Sequence, residues 1–237
     1  AIQSLSLEWR YIAVAALSVL AYFASAWSLR EALVKISWLT VLPLTLLYTA
    51  AVSLFYFLLP SSLITRVMIV SLFGVGMYAL LLTKNIFLVA ADKTIQLLRA
   101  AQAVGFIITL ITVFFLFNTV FSFKLIPLEN SLLSFLFVPF LVLFSLWSVS
   151  LKKYIEKRII NYTLVLAWLT AQLTFFISCW PLSITTSALF LVSYLYVILG
   201  IVQNAIMGKL FKDVLKEYLR VAVIIFILTL ELRKNAY

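Results

Sequence analysis

Two sets of polar side chains have types and spacing that could do chemistry. Asp92, Gln96 and Arg99 stand at i, i+4 and i+7, and Asp213, Glu217 and Arg220 repeat that spacing. On a continuous helix such residues share one face. Together they would make a polar cluster at the cytoplasmic mouth of a helix bundle, able to grip an anionic headgroup or a partner's loop. The plainer reading makes them interfacial anchors with local ion pairs. Little else is equipped for reactions. There is no histidine, which removes imidazole haem ligation, nearly all zinc and copper sites and the usual base of hydrolases. Cys179 is the only cysteine and can form neither an internal disulfide nor a thiolate cluster. Gly74-Val75-Gly76 lacks the Lys-Ser/Thr partner of a phosphate loop. We therefore expect no catalytic residue, no cofactor and no metal, and a protein that is not an enzyme.

The elements that must position these residues follow from composition. Of 237 residues, 65% are apolar and 11% charged, with a mean hydropathy of +1.18. Soluble domains carry about 25% charged residues. A chain this apolar cannot cover itself with polar surface, so its solvent is hydrocarbon. At about 20 apolar residues per crossing, eight spans consume roughly 160 positions and leave short loops. The expectation is an all-α polytopic transmembrane bundle of about eight spans, one integral membrane domain over residues 1–237. The net charge of +10 suits basic cytoplasmic loops and anionic lipid headgroups rather than nucleic acid.

The apolar runs are Tyr11–Leu29, Ile36–Leu59, Leu63–Leu82, Leu98–Phe121, Ser131–Ser150, Ile159–Trp180, Ile184–Met207 and the weak Tyr218–Leu232. Ile86–Leu97, which holds Asp92 and Lys93, reads as an interfacial segment, with Lys84 and Asn85 closing the third span. Alternating loops place Arg30, Lys35, Lys93, Lys152, Lys153, Lys157, Arg158, Lys209, Lys212, Lys216 and Arg220 on one side, joined by Lys84 and Arg99 at helix ends. Only Arg10, Arg66, Lys124, Arg233 and Lys234 fall on the other. The positive-inside rule makes the richer side cytoplasmic and both termini external, in a bacterial inner membrane. Ala24-Ser25-Ala26 resembles a signal-peptidase site, but cleavage there would invert every later loop and export the basic ones. Tyr11, Trp27, Trp38, Trp147, Tyr154, Trp180 and Tyr218 lie near span ends, where amphipathic rings favour the headgroups.

An offset of 121 residues aligns the chain with itself. Over Thr49–Ala101 it gives ten identities in 53 gapless pairs, among them Pro60 on Pro181, Ser62 on Ser183, Thr65 on Thr186 and Arg99 on Arg220. It carries spans one to four onto five to eight, so the expectation is a parallel 4+4 repeat about an axis along the membrane normal, with units 10–123 and 131–237. The competing reading is coincidence among leucine-rich helices.

Further polar residues read mainly as helix glue. Gln102, Asn118 and Gln172 lie deep in spans, and Gln203 and Asn204 close the seventh; buried amides of this kind hydrogen-bond between helices. Ala15, Ser18, Ala21, Ser25 and Ser28 form a small-residue face on the first span, and Ala101 with Gly105 does so on the fourth. Such faces suit either the protein's own bundle or a partner. Pro43 is expected to bend the second span.

Leu54-Phe55-Tyr56-Phe57-Leu58-Leu59-Pro60-Ser61-Ser62, the stretch Leu98–Phe106 and the stretch Leu116–Phe123 resemble signatures of an uncharacterised multi-pass membrane protein family of candidate phyla radiation (Patescibacteria) bacteria. The resemblance covers most of the chain and rests on hydrophobic motifs. It implies an integral membrane protein of a bacterial envelope and carries no activity with it.

The reading that results is a non-catalytic scaffold or assembly component of an envelope complex, with membrane-protein partners. The alternative is a small-molecule or lipid transporter with a site between two four-helix halves. A membrane-embedded enzyme lacks its carboxylates: Glu8, Glu129 and Glu231 fall on separate external loops, and only two aspartates exist. A retinal protein would need a lysine midway along its last span, and the eighth has none.

Overall fold

The structure is a computed structural model that describes residues 7–30, 43–60, 62–90, 96–152 and 155–234. Eight helices account for nearly all of these: α1 (Leu7–Ser28), α2 (Pro43–Tyr56), α3 (Leu63–Ala90), α4 (Leu98–Ser122), α5 (Pro127–Ser150), α6 (Lys157–Ser178), α7 (Ile184–Ile206) and α8 (Lys212–Lys234). The protein is all-helical, and among the described residues six helices are long and apolar enough to cross a membrane: α1 and α3 to α7. This makes it an integral membrane protein. The described part of α2 has only 14 residues, and the stretch from Ile36 to Leu42 lies outside the described residues. In α8, charges at both ends confine the apolar run to Val221–Leu230, so it falls outside the six.

One expectation about the elements is corrected. Leu82 does not end the third span: α3 runs on to Ala90, so Lys84 and Asn85 lie inside a helix. The apolar run Ile86–Ala90 after them lets the backbone continue its hydrogen bonding with no loop to satisfy. Pro43, expected to bend the second span, opens the described part of α2, and the residues before it lie outside the described residues. Within the described helices, Pro139 lies inside α5 and leaves the Phe135 carbonyl without its usual donor.

The chain divides into two compact units, Ala1–Leu116 with Leu151–Ile155, and Phe117–Ser150 with Glu156–Tyr237, so that α4 runs through the boundary. In unit 1 the tightest pairing is α1 with α2. The small-residue face of α1 serves it: Ser18 and Ser25 are buried with Val14 and Leu29, while their hydroxyls donate back to Val14 O at 2.8 Å and Tyr22 O at 2.8 Å. The α4 face does likewise, since a Cβ at Gly105 would lie 3.2 Å from Thr83 Cγ2 of α3.

In unit 2 the dominant pair is α5 with α6, joined by hydroxyls. Ser131 Oγ donates to Ala171 O at 2.8 Å, Thr174 Oγ1 lies 3.2 Å from Ser134 Oγ, and Asn130 Nδ2 reaches Ser178 Oγ at 3.2 Å. Trp147 is not an interfacial ring: it is 1% exposed. Gln203 of α7 donates to Ser145 O and Oγ of α5 at 2.9 and 2.8 Å, the interhelical amide bond expected of it. Gln172 does not act that way, because its side chain faces outward from α6.

Candidate functional site

The two polar triplets do not assemble within either unit. Asp92 lies outside the described residues. Gln96, in the turn before α4, and Arg99, in its first turn, are both exposed, and no hydrogen bond joins them among the described residues. Asp213, Glu217 and Arg220 are exposed on the first three turns of α8. There the ion pair is Asp213 Oδ1 with Lys216 Nζ at 3.7 Å, an exposed i, i+3 contact of the kind that adds little stability. A shared helical face is present, but these long side chains extend into open surroundings with nothing to draw them together.

A different charged residue is singled out by burial. Lys84 is 0% exposed, among the largest fully buried side chains in the protein. It lies on the inward stripe of α3 with Leu80, Thr83, Phe87 and Leu88, which recur at helical spacing. Its Nζ donates to Thr45 Oγ1 in the first turn of α2. One turn on, Thr49 Oγ1 donates to Thr45 O at 2.9 Å. Tyr48, on the same face of α2, crosses α3 over Gly76 and donates through its hydroxyl to Leu72 O at 2.9 Å. Gly76 is required there, because a Cβ would collide with Tyr48 Oη. The Tyr48 ring also stacks on Phe73 with centroids 6.0 Å apart.

This seam places an amine inside hydrocarbon. Lys84 is about 11 Å along the axis from the midpoint of α3, within the roughly 15 Å half-thickness of the hydrocarbon when that helix is centred. Among the described residues it has no carboxylate partner. A buried lysine with one hydroxyl for company is costly, and such residues in membrane helices mark binding or transfer steps by default.

Lys84 was visible in the sequence but assigned to the end of a span. The signal that could have placed it was the register Gly76, Leu80, Lys84, Leu88, which continues one stripe straight through the charge. No metal-binding group of His, Cys, Asp or Glu occurs among the described residues. No family model, no curated protein and no solved structure matches the chain.

Proposed function

We propose that this protein is a non-catalytic scaffold or assembly component of a bacterial envelope complex, held in the inner membrane by eight crossings in two four-helix units. The observation that carries the assembly role is the outward face of α3. Tyr78 is 70% exposed about 2 Å from the helix midpoint, where a phenol has no headgroup to meet. Gly74 and Ser71 lie one and two turns away on the same side, and a Cβ at Gly74 would touch nothing. Small residues with a hydroxyl at mid-depth are what helix association in lipid uses, through close backbone approach and hydrogen bonds.

A photo-crosslinking residue at position 78, compared with one at Val165 on the outward face of α6, tests this in native membranes. A discrete protein adduct from 78 and only lipid from 165 is the expected result. Lipid adducts alone from both would reject the assembly role.

Support for the two-unit, eight-crossing arrangement comes from helix ends. Leu63 and Ile184 open α3 and α7 exactly 121 positions apart, behind equivalent caps. Ser62 Oγ accepts from Thr65 N at 3.1 Å, and Ser183 Oγ from Thr186 N at 3.2 Å. The α1 and α5 limits differ by 120 and 122. Crossing by α8 requires local thinning around Val221–Leu230. External termini place Cys179, which is exposed, outside the cell. A membrane-impermeant maleimide should therefore label intact cells through Cys179, and should not label a Cys179→Ser, Lys209→Cys variant until the cells are opened. The reverse pattern would invert the topology.

Transport of an anionic solute is a second reading, favoured by Lys84 beside the first turn of α2. Chloride and acetate efflux from proteoliposomes that falls to background in Lys84→Met would support it; equal flux in both would dismiss it.

A further inference from the structure

We infer that unit 1 carries a binding site for one anionic phospholipid, in the cleft that α1, α2 and α3 leave open at the Pro60 end. The cleft has a volume of about 320 Å3, in the range of small-molecule sites. Its lining is graded. Arg66 and Tyr56 stand at the end close to the turn that joins α2 to α3, Val52, Ile69 and Phe73 lie further in, and Val70, 70% exposed, borders the open side. On α3 these positions are Arg66, Ile69, Val70 and Phe73, spaced i, i+3, i+4 and i+7. They make one stripe that descends about 10 Å from guanidinium to phenyl. On α2, which runs the opposite way, Tyr56 and Val52 follow the same order away from the turn.

Charge selects the occupant. The Arg66 guanidinium is exposed, and among the described residues neither a carboxylate nor any other side chain pairs with it. A guanidinium takes a phosphate diester in a bidentate manner, with charge-assisted hydrogen bonds. An acyl chain below that phosphate would run along Val70 and Phe73 and replace contacts that the three helices do not make with one another. A zwitterionic lipid has the same chain but carries a compensating ammonium, so net negative charge is what Arg66 distinguishes. This site lies at the opposite end of α3 from Lys84 and from most of the basic loops. It is thus separate from the attraction of those loops for the inner leaflet, and it does not depend on a protein partner at Tyr78.

The full chain, stripped of lipid in detergent and placed in nanodiscs with limiting phosphatidylglycerol or phosphatidylcholine, tests the inference by native mass spectrometry. One phosphatidylglycerol should remain per chain, favoured about tenfold over phosphatidylcholine. Arg66→Gln should bring that preference to within about twofold, Arg66→Lys should restore part of it, and Arg158→Gln in unit 2 should leave it unchanged. Val70→Trp should lower occupancy by either lipid. Circular dichroism melts of each variant separate loss of binding from loss of fold. An unchanged preference in Arg66→Gln, equal retention of both lipids by the wild type, or full displacement by equimolar oleate would each overturn the assignment.

Discussion

In unit 2 the α5–α6 seam is closed mainly by neutral hydroxyls returned to a backbone carbonyl one turn away or passed to the facing helix, as in Thr170 to Leu166 O at 2.7 Å and Thr174 to Thr170 O at 2.8 Å, while Thr163 Oγ1 is buried without a partner among the described residues. In unit 1 the α2–α3 seam is closed by a tyrosine laid over a glycine and by the amine of Lys84. Both place polar atoms inside an apolar bundle. Hydroxyls satisfied within their own turn cost almost nothing to bury, and they add cross-helix bonds. An ammonium satisfied by one hydroxyl keeps most of its desolvation penalty. The comparison teaches that unit 2 holds its helices together with neutral hydroxyls, whereas unit 1 buries an amine whose one hydroxyl partner offsets little of the cost.

The contrast can be broken by substitution, with stability read from unfolding in mixed micelles. The largest effect is expected at Gly76→Ala: the new methyl must displace the buried Tyr48 ring and break its bond to Leu72 O, for a loss of about 3 kcal/mol. Adding Tyr48→Phe removes the nearest atom and should recover part of that loss. No recovery would mean that Gly76 is needed for another reason.

Thr174→Val keeps the shape and deletes the link to Ser134, and should cost about 1 kcal/mol. Lys124 follows α4 in the left-handed region at φ 51°, so Lys124→Gly should raise stability by about 0.5 kcal/mol. The smallest change is expected at Lys84→Met, which fills the same space without charge and should leave stability within about 0.5 kcal/mol of wild type or above it. Should Lys84→Met cost more than Thr174→Val, the amine is structural glue and the distinction between the units fails.

Much of the helical framework was legible in the sequence. The starts of α3, α4 and α7 fall on the apolar runs, and Ser62 and Ser183 announce two of them through the same cap. The candidate site was not. Asp92, Gln96, Arg99, Asp213, Glu217 and Arg220 have the spacing of a cluster, but spacing sets only a shared face. Whether charges meet depends on what packs against that face, and at Gln96, Arg99 and the α8 residues nothing among the described residues does. Lys84 failed in the opposite sense: a charge at the edge of an apolar run resembles a boundary until a neighbouring helix covers it.

Composition and periodicity by themselves determined that this chain is helical and lives in hydrocarbon, because apolar runs of about 20 residues suit crossing helices, which satisfy their own backbone there. Which polar atoms went inward was decided by tertiary structure alone. Rotation of a helix about its axis is set by contacts with its neighbours, and those contacts put Lys84 against Thr45, Gly76 beneath Tyr48 and Arg66 at the lip of an open cleft.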